Sequence, residues 1–154
     1  MSFISYIDIQ DNTHYVNIND IICIGQKCGD LILITKHFTA NIPMHADNDI
    51  YYDIVKKIKN EKKNLINKEF KEIKYYFNEL DARLERLSCI YVDMNMVIHC
   101  CKELRKDGKP NIVHAYNNIY TLYKFYYYNP FSQTTYTEMM YQTEDYIKKI
   151  FNGF

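Results

Sequence analysis

The chain is poor in the residues that mark several protein classes. Its 154 residues contain no tryptophan, four glycines and three prolines. None of the glycines belongs to a Gly-x-Gly-x-x-Gly or Gly-Lys-Ser sequence, so the chain lacks the phosphate loop of common nucleotide-binding enzymes. Its longest apolar runs, such as Ile21–Ile24 and Leu31–Ile34, are far shorter than the roughly 20 residues that a membrane-spanning helix needs. We therefore expect neither a membrane protein nor contact with a membrane.

A secreted disulfide framework is also absent from the pattern. The five cysteines are an odd number, and Met1–Ile9 has neither a basic start nor the long apolar stretch of a secretory signal. Reduced thiols are typical of the cytosol, so we expect a cytoplasmic protein. Structural zinc sites usually have two close ligand pairs, whereas Cys23-x4-Cys28 is one loose pair. We expect no metal and no cofactor.

Abundant Asn, Lys, Ile and Tyr with scarce Gly, Pro and Ala indicate an AT-rich genome, as in many phages and mobile elements. The net charge of zero hides a division along the chain. Residues 1–55 carry two lysines and seven acids, a balance of −5, whereas residues 56–74 carry eight lysines and three acids, a balance of +5. The pattern predicts a dipolar molecule with a basic segment.

The first 46 residues are predicted to form a small antiparallel β unit. Short β-branched runs alternate with turn residues, and the loop 25–30 joins two of them as a hairpin. Pro43 predicts that the last run lies at a sheet edge. The stretch Tyr15–Ile24 with Leu31–Thr35 resembles the opening strands of small bacterial β modules such as the LytTR DNA-binding domain. The resemblance implies strands here, and no function is transferred from it.

Residues 47–154 are predicted to form a helical region. After a short helix from Asn48 or Asp49, apolar residues recur at 3-4 spacing, which favours one long helix over about 62–106 with a coiled-coil-like stripe. The members of the stripe are Ile66, Phe70, Ile73, Phe77, Leu80, Leu84, Leu87, Tyr91, Met94, Ile98 and Cys101. Similar spacing predicts helices over about 110–128 and 135–151, which would complete a C-terminal helical bundle. The predicted fold is therefore α+β.

Catalytic chemistry is not indicated by any group of residues. Adjacent helix residues point about 100° apart, so His99 could not easily activate Cys100 in the predicted helix. The acidic residues alternate with lysines and arginines at the spacing of solvated ion pairs. We therefore expect a protein that is not an enzyme.

Two kinds of binding surface remain as hypotheses. The sixteen tyrosines favour a protein interface, because tyrosine combines an apolar ring with a polar tip. The candidates for protein contacts are Tyr120, Tyr123, Tyr127, Phe70 and Phe77. The lysine-rich segment 56–74 could instead bind phosphates, with Lys56, Lys57, Lys59, Lys62 and Lys63 as the nucleic-acid candidates.

We interpret the sequence as a non-enzymatic protein–protein interaction module. The composition favours a phage or mobile-element protein that assembles into a particle or inhibits a host factor, located in the host cytosol if a phage encodes it. Its partner would be another protein, either from the host or from the virion, and a homo-oligomer stays open. The alternative is a nucleic-acid-binding accessory protein that uses the lysine-rich segment 56–74.

Overall fold

The computed structural model describes residues 2–27, 29–43, 49–61, 65 and 67–152. In this part of the chain, β-strands dominate and the helices are short. The strands are β1 (Phe3–Ile7), β2 (Thr13–Asn17), β3 (Ile21–Lys27), β4 (Asp30–Thr35), β5 (Thr39–Pro43), β6 (Phe70–Tyr75), β7 (Ser88–Asp93), β8 (Val97–Lys102), β9 (Ile112–Ala115), β10 (Asn118–Asn129) and β11 (Thr134–Gln142). The helices are α1 (Asp49–Asn60), α2 (Glu79–Arg83) and α3 (Glu144–Asn152).

The strands form three antiparallel sheets. β1 and β2 make a two-stranded hairpin, and β5-β4-β3-β7-β6 make a five-stranded sheet. The third sheet has the order β11-β10-β8, and β9 pairs with the start of β10 beyond the end of β8. The five-stranded sheet thus combines β3 to β5, which precede α1 in the sequence, with β6 and β7, which follow it.

Alternation along the strands builds two cores on opposite faces of the five-stranded sheet. Leu31 and Leu33 of β4 pack in a cluster with the β1–β2 hairpin and α1. Ile34 of the same strand packs in a second cluster, which includes Phe125 of β10 and Ile147 of α3. The molecule therefore has three layers: the hairpin with α1, the five-stranded sheet, and the β8–β11 sheet with α3.

The predicted long helix over 62–106 and its coiled-coil stripe are wrong. That segment contains β6, α2, β7 and β8, so strands are not confined to the first 46 residues. Every residue of β7 is buried. A strand buried on both faces shows no alternation of apolar and polar residues, so its apolar residues can also fit a helical spacing. Three leucines of the stripe, at 80, 84 and 87, are about half exposed. Asn78 starts α2 by accepting a hydrogen bond from the Asp81 amide (2.8 Å), and Glu85 follows its end with φ of 55°.

The C-terminal helical bundle is also wrong, and with it the α+β description. The segment predicted as a helix over 110–128 forms β9 and most of β10, which are joined by a tight turn. Tyr116 and Asn117 occupy this turn with φ of 51° and 62°, as a two-residue hairpin of the I′ type requires. The predicted helix over 135–151 is wrong in its first half, which is β11, whereas its second half, from Glu144 onward, is the helix α3. The Tyr-, Phe- and Thr-rich composition of this region favours strands.

Candidate functional site

A cleft of about 700 Å³ lies between β8 and α3. One wall consists of the whole length of β8, and the other is the face of α3 that carries Ile147 and Phe151. Such a volume lies within the range of ordinary ligand-binding clefts. Its lining residues are Met94, Val97, Ile98, His99, Cys100, Cys101, Lys102, Tyr123, Glu144, Ile147, Lys148, Phe151 and Asn152.

β8 reaches this position through a tight connection from the other sheet. β7 ends at Asp93, whose carboxylate accepts a hydrogen bond from the Asn95 amide (3.1 Å) and so opens a single 3₁₀ turn over Met94–Met96. Asp93 also accepts from the amide of Glu69 (3.2 Å), which holds the turn against the chain before β6. The chain therefore leaves the five-stranded sheet and enters the β8–β11 sheet within three residues.

The outer edge of β8 has no partner strand among the residues that the structure describes. β8 pairs with β10 on one side only, and it is the last strand of its sheet. The backbone amide of Glu103 donates to the Leu122 carbonyl (2.9 Å), which fixes the phase of the ladder. Because hydrogen-bonded pairs alternate along an antiparallel ladder, Cys101 also bonds to β10, whereas the N–H and C=O of Cys100 and Lys102 point to the free edge. Ile98 is the extra residue of a β-bulge, so the regular free edge covers residues 100–102.

The second wall is formed by one face of α3. Glu144, Ile147, Lys148 and Phe151 are spaced as neighbours on one helix face, and all four line the cleft. Three contacts hold α3 in place. The Phe151 ring lies 6.2 Å from the ring of Phe125, the Tyr146 hydroxyl accepts from the Lys74 amide (2.8 Å), and the Lys71 ammonium donates to the Ile150 carbonyl (3.0 Å). The helix is thus fixed relative to β8, and the cleft is preformed.

Polar groups lie at one end of the cleft and apolar groups at the other. Lys102 of β8 forms an ion pair and hydrogen bond with Glu144 of α3, and this bond lowers the pKa of the carboxyl. Lys148 is exposed and forms no ion pair with any described residue. Ile98 and Phe151, which are 57% and 40% exposed, form the apolar end. The cleft therefore combines an exposed apolar surface with a polar end where two lysines outnumber one glutamate.

The cleft offers little for covalent catalysis. Burial raises the pKa of the Cys100 thiol to about 11, and Cys101 adds to the effect. The Cys100 thiol is therefore neutral at physiological pH and behaves as a small apolar group. Burial also raises the pKa of Tyr123 to about 12, with Glu144 as a further cause. The arrangement is suited to binding an extended chain, because an edge strand supplies backbone groups and the cleft supplies room for side chains.

The structure buries the three tyrosines that were predicted as protein contacts. Tyr120, Tyr123 and Tyr127 are 8%, 6% and 1% exposed, and only Tyr123 lines the cleft. Phe70 is half-buried and stacks on Tyr91 at a centroid distance of 5.0 Å. Phe77 is 42% exposed beside α2 and does not line the cleft. These residues do not form one surface.

Three of the five predicted nucleic-acid residues lie on the opposite side of the five-stranded sheet from the cleft. Lys56, Lys57 and Lys59 are exposed on α1, and Lys59 lies 5.8 Å from the centroid of the Tyr91 ring. Lys62 and Lys63 are outside the described residues. Further along the basic segment, Lys68 is turned inward and pairs with a buried carboxylate instead of facing solvent.

The pair Cys23 and Cys28, which the sequence analysis considered as metal ligands, is only partly described. Cys23 is buried, and Cys28 is outside the described residues. Within the described ranges, no group of three His, Cys, Asp or Glu side chains is placed to hold a metal ion. None of the described helices has the length and apolar character needed to cross a bilayer.

Most of the residues that line the cleft were missed by the sequence analysis. Ile98 and Cys101 appeared only as members of a helical stripe, and Lys148 and Phe151 were not considered at all. One signal was available, because Ile147, Lys148 and Phe151 follow the helical spacing of the predicted last helix. No local sequence pattern predicts that this helix packs beside β8, because β8 ends well before the helix begins in the chain.

The chain was compared with protein-family profiles, with curated protein sequences and with solved structures. No match was found in any of the three comparisons.

Proposed function

We propose that this protein is a non-enzymatic interaction module that binds an extended segment of another protein by adding it as a strand beside β8. The observation that carries the proposal is the free edge at Cys100 and Lys102, which faces a preformed cleft. In strand addition, main-chain hydrogen bonds align the segment, and alternate side chains enter a neighbouring pocket. Both components are present between β8 and α3.

Three other sheet edges, those of β5, β6 and β11, support this assignment because they carry features that discourage strand addition. On the outer edge of β6, the Lys74 amide is bonded to the Tyr146 hydroxyl. β5 is short and ends at Pro43, which has no amide hydrogen. β11 is bridged at Tyr141 by Tyr76, through two backbone hydrogen bonds. Edges are normally protected in such ways. β8 has a bulge at Ile98, but beyond it the edge at residues 100–102 is contacted by no other described strand, and its position beside an apolar cleft favours a binding role.

The energies involved indicate that the pocket must contribute. A backbone hydrogen bond contributes a net of about 0.5–1.5 kcal/mol, and only residues 100–102 offer regular pairing. Full burial of one large apolar side chain adds about 1.5–3 kcal/mol. The backbone bonds therefore set the register of the bound segment, and the side chains in the cleft supply a large part of the affinity.

Proline substitutions on β8 test the proposal. In Cys100→Pro, the ring replaces an outward-facing amide and obstructs an incoming strand, while the bonds to β10 are kept. The matched variant Cys101→Pro removes an amide that bonds to β10, so it should lower the melting temperature much more. The assay is selection of displayed random ten-residue peptides on the wild-type protein, followed by binding of the selected peptides to Cys100→Pro.

Two results are expected from this experiment. Selected peptides should bind the wild-type protein and not a folded Cys100→Pro variant. On binding, amide hydrogen exchange should slow at Cys100 and Lys102, whose amides are free, and change little at Cys101, which is already bonded. Equal binding to wild type and Cys100→Pro, or unchanged exchange at both free amides, would contradict strand addition.

A second candidate function is nucleic-acid binding through α1. It is favoured by the exposure of Lys56, Lys57 and Lys59 on one helix, without an ion pair to any residue in the described ranges. Affinity for single- and double-stranded DNA or RNA should then fall steeply as salt rises, because counterions are released on binding. The triple change of these lysines to glutamine should abolish it, whereas Cys100→Pro should have no effect. An affinity for nucleic acid that changes neither with salt concentration nor with the triple lysine-to-glutamine variant would exclude this candidate.

A further inference from the structure

We propose that the segment bound at β8 carries an acidic residue followed, two positions later, by a large apolar residue. This inference rests on strand addition as the proposed function and adds the chemistry of the partner. It follows from the direction of the two walls of the cleft, from the distribution of charge along them, and from the geometry of a paired strand.

The two walls run in opposite directions. The ion pair between Lys102 and Glu144 joins the end of β8 to the start of α3. Phe151, near the end of α3, contacts Phe125, which pairs with Cys100 further toward the start of β8. The four residue-to-residue steps from Ile98 to Lys102 span about 13 Å of strand, and the seven steps from Glu144 to Phe151 span about 10 Å of helix. A strand in the cleft therefore has room for two side chains that face α3, because residues two apart lie about 6.6 Å from each other.

The two side-chain positions differ in chemistry. The position near the end of β8 lies beside Lys102, Glu144 and Lys148, which together carry a net charge of +1. Glu144 pairs with Lys102 and also attracts Lys148, so two ammonium groups share one carboxylate. A carboxylate at this position would pair with Lys148, whereas an ammonium group would be repelled. The position near the start of β8 lies beside Ile98 and Phe151 and fits an apolar side chain.

The order of the two residues follows from the direction of pairing. Antiparallel pairs outnumber parallel pairs two- to threefold, and every pair in this protein's described sheets is antiparallel. A segment antiparallel to β8 passes the Lys102 end first and the Ile98 end last. Its sequence therefore reads acidic, any residue, large apolar, from the amino to the carboxyl end.

The test uses the peptides selected on the wild-type protein from the random ten-residue library. The expected result is enrichment of Asp or Glu two positions before Leu, Ile, Phe or Met. Lys148→Glu changes the net charge of the polar end of the cleft from +1 to −1 and should weaken these peptides roughly three- to tenfold. It should also strengthen variants in which the acidic residue is replaced by Lys. Lys149→Glu is the matched control, because this residue is exposed on the same helix but does not line the cleft.

Failure of this inference is distinguishable from failure of the proposed function. Peptides that bind the wild-type protein but not Cys100→Pro, and that show no acidic residue or the reverse order, would overturn the acidic-x-apolar pattern and leave strand addition standing. Equal effects of Lys148→Glu and Lys149→Glu would also overturn it. Selection that enriches no peptide over the Cys100→Pro background would overturn both.

Discussion

The pair formed by Lys68 and Asp93 supports a sharp stability prediction. Asp93 is fully buried at the corner where β7 turns into β8, and the Lys68 ammonium lies 3.5 Å from its carboxylate. The same ammonium donates to the Ile21 carbonyl (3.1 Å) in β3. Burial lowers the pKa of Lys68, and Asp93 opposes this shift. The pair thus joins the end of β7 to the start of the central strand.

Removing one partner leaves a buried charge without compensation. Lys68→Met should lower the free energy of unfolding by about 3–5 kcal/mol, which corresponds to a fall of roughly 6–20 °C in melting temperature for a chain of this size. Asp93→Asn keeps the oxygen that accepts from the amides of Glu69 and Asn95 and removes the charge. The double variant should therefore recover at least about 2 kcal/mol relative to the sum of the two single changes.

Urea unfolding of the four proteins, followed by circular dichroism, measures this cycle. Lys74→Met is the matched control, because Lys74 is about half exposed and its nearest carboxylate oxygen, on Glu72, is 3.9 Å away. This control should change the free energy of unfolding by less than about 0.5 kcal/mol. Additive single changes, or a cost below about 1 kcal/mol for Lys68→Met, would refute the reasoning.

Three further predictions concern other parts of the molecule. The Asp8 carboxylate binds His14 and nearby amides, which lowers its pKa from 3.8 to about 2. Its contribution to stability should therefore be complete above pH 3.8 and be lost as the pH falls through about 2, and NMR titration of wild type and His14→Ala checks this. Asn129→Ala should lower the free energy of unfolding by about 2–3 kcal/mol, because the buried amide donates to the carbonyls of Thr35 and Lys36. Urea unfolding measures this, and a loss no larger than that of an Asn→Ala change at an exposed position would contradict it. Leu84→Asp, which the predicted helical stripe would make severely destabilising, should change the melting temperature little because Leu84 is 54% exposed.

The early part of the fold could be predicted from the sequence because its signals are local. β-branched runs separated by turn residues predict β1 to β5, and the pattern from Ile50 to Ile58 predicts α1. Local signals failed after residue 70, where strands such as β7 are buried on both faces and have no alternation. From the β9–β10 turn into β10, the spacing of Tyr116, Tyr123 and Tyr126 predicts a helix, although the β-propensity of Thr, Tyr and Phe favours a strand.

The candidate site could not be predicted because it depends on long-range pairing. β8 is an edge strand because its only partner strand in the described sheet is β10, and β10 pairs on its other side with β11. Both β10 and β11 follow β8 in the sequence, so residues near β8 do not show that it is an edge. Tyr123 and Tyr127, which were predicted as protein contacts, instead fill the core between two sheets. Sequence patterns therefore indicate which residues favour burial. They do not indicate that the outer edge of β8 lacks a partner strand among the described residues.

The position of β3 at the centre of the five-stranded sheet has a consequence for synthesis. β3 ends at Lys27, and its second neighbour, β7, is complete only at Asp93, 66 residues later. At roughly 5–20 residues per second, a ribosome adds this stretch in about 3–13 s. During that interval the apolar run Ile21–Ile24 has one ladder edge without a partner. The nascent chain should therefore bind chaperones that recognise extended apolar segments, and refolding of the full chain should be slow for its size.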